Sequence, residues 1–245
     1  MLLASLIIMF VVSGLLMVAS VFLKKKDALY FLINALTIIA IIITEILCAN
    51  YFNNFNGYSI ILIIACVPLF LILFDFKQKQ TLASNEPKTE NVEINQENTK
   101  EKKKKINFSQ ELSESSGRIF EGLAFLISAF LIAFAGLYLG KVSYFGFLMC
   151  LPFALAGICI SYLKSPKINK FDLIANILTY LAVGFLFGQI LAVLIYSQTI
   201  SSILYSLGAL LFSTYAITST CTKERRINII LYASLILFSI SILFL

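Results

Sequence analysis

The chain has 245 residues, of which 60% are hydrophobic and 13% charged, with a mean hydropathy of +0.93. No soluble core needs that much apolar surface, so the composition reads as an integral membrane protein. The net charge of +6 sits in loops, with no basic surface interleaved with aromatics. It argues for anionic lipid neighbours and against nucleic acid. Histidine is absent, which excludes Ser-His-Asp and Cys-His catalysis, His-ligated zinc and His proton relays.

Eight apolar runs, each about the 20 residues that cross a hydrocarbon core, predict transmembrane helices over 2–23, 28–50, 58–76, 119–139, 143–163, 172–196, 200–222 and 227–245. Backbone polar groups in lipid must be satisfied within each segment, so the expectation is an all-α bundle of about eight transmembrane helices. The alternation of a β-barrel strand is absent from the sequence. Lys24, Lys25 and Lys26 follow the first span and no basic residue precedes it, the order of an uncleaved anchor with its N-terminus outside.

The second span carries Glu45, the single acid well inside an apolar run. It shares a stripe with Asn34, Thr37, Thr44 and Cys48, within about 100° of arc at 3.6 residues per turn. A charge there is costly, so Glu45 is expected to face the bundle or be protonated, or to reach water at the outer interface one turn away. The uncharged outer loop Asn50–Tyr58 suits a turn. Pro68 and Pro152 interrupt the third and fifth spans, freeing a backbone carbonyl at each.

Residues 77–118 are rich in Lys, Glu, Asn and Gln and nearly free of large apolar side chains, the composition of a disordered cytoplasmic linker. It divides the chain into a three-span unit (1–76) and a five-span unit (119–245). Within it, Lys102, Lys103, Lys104 and Lys105 are candidates for contact with anionic lipid headgroups.

Small residues line one face of several later spans. The stripes are Gly122, Ala129, Ala133, Gly136 and Gly140; Ser143, Gly146, Cys150, Gly157 and Ser161; and Ser202, Ser206, Ala209, Ser213, Ala216 and Thr220. Gly184 and Gly188 form a GxxxG in the sixth span. Such stripes let helix backbones approach closely. Asn176 and Tyr180 share the face leading to Gly184 and Gly188, while Gln189 points elsewhere. Asn176 and Tyr180 can either bond Asn34 or Glu45 across the bundle, giving a candidate polar cluster of Asn34, Glu45, Asn176 and Tyr180, or simply hold helices together. Tyr205, Tyr215 and Tyr232 are expected to serve packing. The five cysteines form no CxxC, and no metal or cofactor is expected.

All 19 Lys and Arg except Lys141 fall on one side of these spans, which is then cytoplasmic, and both termini are extracytoplasmic. With no Trp, the interfacial belt is expected from Tyr30, Tyr51, Tyr58, Tyr138, Tyr144, Tyr162 and Tyr196. Abundant Lys and Asn with no Trp or His suggest an AT-rich bacterial genome and hence a bacterial cytoplasmic membrane.

Four segments resemble the lysoplasmalogenase (YhhN-like) family. They are Asn34-Ala35-Leu36-Thr37, where the family has Lys-Pro-Leu-Thr; Gly122-Leu123-Ala124-Phe125 leading to Ala129-Phe130, where it has Gly-Leu-x-Phe leading to Gly-Asp; Phe153-Ala154-Leu155-Ala156-Gly157, where it has Phe-x-x-Ala-His; and Gly208-Ala209-Leu210-Leu211-Phe212 leading to Tyr215-Ala216, where it has Ser-Asp. The resemblance implies an eight-span, lipid-binding fold. The departures fall on the family's polar positions, so its vinyl-ether hydrolysis does not transfer to these residues. A degenerate or non-catalytic lipid-handling protein is the first expectation. Hydrolysis would have to proceed without His or Asp in the usual places. A transporter or permease subunit for a small hydrophobic or zwitterionic solute, and an assembly or signalling component acting through the linker, are the alternatives.

Overall fold

The computed structural model describes residues 2–22, 28–51, 56–69, 118–139, 145–164, 170–221 and 228–245. Among them are eight helices and no strand: α1 Leu2–Phe22, α2 Ala28–Tyr51, α3 Gly57–Cys66, α4 Arg118–Gly136, α5 Phe145–Lys164, α6 Lys170–Tyr196, α7 Ile200–Cys221 and α8 Asn228–Leu243. Five of them (α1, α2, α4, α6 and α7) are long and apolar enough to cross a membrane; α3, α5 and α8 give shorter apolar stretches. The linker, with Lys102 to Lys105, lies outside the described residues, as do Tyr144 and the end of the third predicted span.

Local chemistry sets the ends of these helices. Asn56 caps α3, its Oδ1 accepting from the Ser59 N–H at 3.2 Å. The helix closes at Val67, whose N–H turns back to the Ile64 carbonyl at 3.0 Å just before Pro68. Thr199 opens α7 by accepting from the Ser202 N–H at 3.2 Å. Asp172 in the first turn of α6 meets Arg118 at the start of α4, 2.9 Å apart.

That pair shows that α4 and α6 run in the same direction. Tyr30 and Asn228, bonded at 2.7 Å, do the same for α2 and α8. The chain neighbours α1–α2, α2–α3, α5–α6, α6–α7 and α7–α8 pack together, as short loops require. The packing of α2 and α3 on α8 is not implied by chain order. It joins the first three helices and the last four into one core. α1 and α5 lie at the periphery, with Ile7, Ile8, Val11 and Leu15 exposed on one and Leu148, Leu151, Leu155 and Leu163 on the other.

The small-residue stripes are where backbones meet. A Cβ at Gly122 would stand 2.9 Å from the Ala175 carbonyl of α6. One at Gly184 would stand 2.8 Å from the Met149 carbonyl of α5, and one at Gly157 would stand 2.8 Å from the Tyr180 ring. The tyrosine belt is only partly peripheral. Tyr51, Tyr138, Tyr162 and Tyr196 are exposed near helix ends, but Tyr30 and Tyr58 are buried. Each of the two directs its hydroxyl to a polar partner on α8, Asn228 for Tyr30 and Ser241 for Tyr58, which an interfacial side chain would not reach.

Candidate functional site

Two groups of buried polar side chains occupy opposite ends of the bundle. The first lies toward the end that holds the N-termini of α2, α4, α6 and α8. Asn34 donates from Nδ2 to the Tyr30 carbonyl at 2.6 Å and accepts the Tyr232 hydroxyl on Oδ1. Asn228 donates to the Tyr30 hydroxyl at 2.7 Å and accepts the Tyr215 hydroxyl at 3.4 Å. The Phe125 ring packs edge-on against both Phe212 and Tyr215, with centroids 5.9 and 5.5 Å apart. Helices α2, α4, α7 and α8 thus meet around a network in which each of these amides and hydroxyls has a partner, with Glu121 of α4 within electrostatic range of Tyr215.

The second group lies toward the other end. Glu45 is completely buried, and its Oε2 receives the Cys66 thiol at 3.5 Å. Its Oε1 has no hydrogen-bond partner among the described residues. The Tyr58 hydroxyl meets Ser241 Oγ at 2.6 Å, and Ser201 Oγ donates to the Ser241 carbonyl at 2.9 Å. The Tyr58 ring lies 6.3 Å from that of Tyr205, whose hydroxyl donates to the Ile132 carbonyl of α4 at 2.8 Å. Beside it, the Cβ absent from Gly136 leaves room for the Tyr205 phenol, and Gln189 Cγ passes 3.1 Å from that Cβ position. Gln189 Nε2, Ser206 Oγ and Ser128 Oγ are buried with no partner among the described residues. A buried polar atom left unpaired costs about 1–3 kcal/mol, so Glu45, Gln189, Ser206 and Ser128 are conspicuous in a well-packed interior.

The four residues expected to form one cluster therefore occupy three places. Asn34 and Glu45 share a face of α2 but stand about 16 Å apart along it at 1.5 Å per residue. Asn176 faces α5, donating to Ser161 Oγ at 2.9 Å, and Tyr180 packs on Gly157 of the same helix. Both lie on the face of α6 that holds Gly184, which α5 covers. Glu45 is also fully screened from water, so its position near the helix end does not expose it. Gln189 points away from the face that holds Gly184, as expected, and faces the junction of α4 and α7. The signal was present: it is an amide in the middle of an apolar run. Tyr58, expected in the interfacial belt, is instead buried beside Tyr205.

Part of the α2 stripe is spent locally. Thr37 and Thr44 donate to the Ile33 and Ala40 carbonyls, both at 2.7 Å, and Thr44 also meets Ser13 of α1 at 3.2 Å. Among the described residues no three His, Cys, Asp or Glu side chains gather as a metal site. Comparison with protein-family models, curated proteins and solved structures finds no match to this chain.

Proposed function

We propose that this protein is a multi-pass membrane protein of eight spans with both termini extracytoplasmic, in a bacterial cytoplasmic membrane, and that it handles a lipid without hydrolysing it. The observation that carries the lipid reading is the meeting of Phe125 with Phe212 and Tyr215. These residues belong to two of the segments that resemble the lysoplasmalogenase family, distant in sequence and brought face to face. Asn34, from a third segment, joins the same region through Tyr232 and Tyr30. The fourth segment stands apart, with Gly157 against Tyr180.

Hydrolysis of a vinyl ether needs a group that delivers a proton and one that activates water. The network offers phenols and amides engaged with one another, with the Glu121 carboxyl within electrostatic range of Tyr215. It can hold an oxygen-rich headgroup by exchanging hydrogen bonds, and it lacks the His and Asp that the resembling family places in these segments. The test is incubation of purified, detergent-solubilised protein with a lysoplasmalogen. The expected result is saturable lipid binding, weakened by Tyr215→Ala, with no aldehyde released. Aldehyde release would overturn the non-catalytic reading; a folded preparation that binds no lysolipid would overturn lipid handling itself.

A second reading is favoured by one specific observation, the buried Glu45 carboxyl with an unpartnered oxygen. Intramembrane acids mark solute and proton pathways, and this one supports movement of a small solute through the bundle. Loss of solute uptake in Glu45→Gln proteoliposomes is the expected result, and uptake equal to wild type would sink it.

A further inference from the structure

Helix α3 is held differently at its two ends. At its start Asn56 caps it, and the Tyr58 hydroxyl meets Ser241 Oγ of α8 at 2.6 Å. Its regular hydrogen bonding stops at Cys66. Val67 turns its N–H back to the Ile64 carbonyl at 3.0 Å, and Pro68 has no N–H to offer that carbonyl in the α-helical register. What ties this end to α2 is a thiol: Cys66 donates to Glu45 Oε2 at 3.5 Å. A thiol is a weak donor. Helix α3 therefore ends beside the buried acid.

Glu45 is the one acidic or basic residue that is buried among the described residues. Of the helices packed on α2, α1 carries no titratable side chain, and α3 carries Tyr58 and Cys66. Tyr232 of α8 bonds Asn34 toward the other end of the bundle, where Arg118 and Glu121 of α4 also lie. On α2 itself the nearest such group is Cys48, one turn on. None of the groups at this end carries a positive charge. A carboxylate here would have one weak donor on Oε2 and none on Oε1 among the described residues, which burial penalises heavily. The donor set does not suit a metal ion either. No three His, Cys, Asp or Glu gather among the described residues, and a hard cation takes about six oxygen ligands. A proton removes the charge and needs no cavity.

We propose that Glu45 is a proton-binding site, occupied while α3 is packed on α2, and that the proton leaves when the end of α3 at the Val67–Pro68 turn parts from α2 and admits water. This deepens the solute-movement reading, on which the coupling role of Glu45 rests, by naming the proton as the ion exchanged. In the packed state Oε2, which accepts the Cys66 thiol, is the carbonyl oxygen, and Oε1 carries the proton. An unpaired neutral hydroxyl costs far less than a bare charge. Release breaks the O–H bond and passes the proton to entering water, leaving a carboxylate that water hydrates; binding reverses the step. The end of α3 is the part that yields, because its start is tied to α8 by an O–H bond and its close to α2 by an S–H bond. Helices interrupted within the membrane are where transporters place their ion sites.

The experiment is infrared spectroscopy of the full-length protein in phosphatidylcholine vesicles near neutral pH. Far-UV circular dichroism and gel filtration verify the fold of each variant. Wild type is expected to show the carbonyl stretch of a neutral carboxyl, shifted by isotopically labelled glutamate and absent from Glu45→Gln. The isotope identifies the band even where that variant does not fold. Absence of the band from folded wild type would overturn the proton site, and would leave a charged Glu45 to hold a cationic solute, so that the solute-movement reading stands. The band together with solute uptake indifferent to Glu45→Gln would overturn the coupling role and the solute-movement reading. The path of release is read from alkylation of Cys66 by N-ethylmaleimide in protein carrying Cys48→Ala, Cys150→Ala, Cys159→Ala and Cys221→Ala. As pH is raised, alkylation is expected to become several-fold faster with Glu45 present than with Glu45→Gln, whose amide cannot ionise. A carboxylate beside a thiol by itself slows thiolate formation, so faster alkylation reports the parting of α3 from α2. An equal or lower rate with Glu45 present would overturn release at this end of α3.

Discussion

The two polar regions of the bundle are built from similar side chains and come out differently. Toward the N-termini of α2 and α8, Tyr30, Asn34, Tyr215, Asn228 and Tyr232 satisfy one another across three helices. Toward the other end, Tyr58 and Tyr205 are engaged, but Glu45, Gln189 and Ser206 each keep an atom without a partner among the described residues. A closed network spends its hydrogen bonds on fixing helices. An open one leaves them free for something else at a cost in stability. Stability and function should therefore separate between the two regions when each is cut.

The largest effect is expected in the closed network. Asn34→Leu strands the Tyr232 hydroxyl in an apolar interior and should destabilise the protein by about 2–3 kcal/mol, read from unfolding in mixed micelles. A loss under about 0.5 kcal/mol would show that the network does not hold α2 to α8. Gly184→Ala tests packing without polarity. Its Cβ meets backbone of α5, 2.8 Å from the Met149 carbonyl, which cannot rotate away. A cost of about 1–3 kcal/mol is expected in the same assay.

The open layer should respond with the opposite sign. Glu45→Leu removes a carboxyl oxygen that has no partner and retains an apolar side chain of similar size. A gain of about 1 kcal/mol in stability, with loss of solute uptake, is expected. Destabilisation of comparable size would place Glu45 among the structural groups and erase the contrast. Asn176→Leu breaks one bond to Ser161 between α5 and α6, and should cost about 0.6 kcal/mol or less. Arg118→Ala should change stability least, by about 0–1 kcal/mol, because its pair with Asp172 is solvent-accessible and screened by salt. A larger loss would show that the ends of α4 and α6 depend on that ion pair.

Much of the architecture was legible along the chain. Hydrophobic run length marked each helix, because a span must be apolar over a fixed distance whatever it packs against. Small residues at helical spacing identified close-packing faces: Gly122 meets α6 and Gly184 meets α5. Glu45 stood out because an acid in an apolar run has few innocent explanations. The partners were not legible. Asn176 and Asn34 look alike as intramembrane amides, yet one faces α5 and the other α8. Tyr30 and Tyr58 near span ends look like interfacial anchors, yet both turn inward.

What the sequence determined by itself is the set of helices and the face each presents. Both follow from local quantities, apolar length and a periodicity of 3.6 residues. Which helix each face meets was decided only in the tertiary structure. The packing of α2 and α3 against α8 brings residues more than 180 positions apart into hydrogen-bond contact. An apolar face in a membrane has no hydrophobic preference for one neighbour over another. Shape and the few polar groups made that choice, and the same choice left Glu45 Oε1, Gln189 Nε2 and Ser206 Oγ without partners among the described residues.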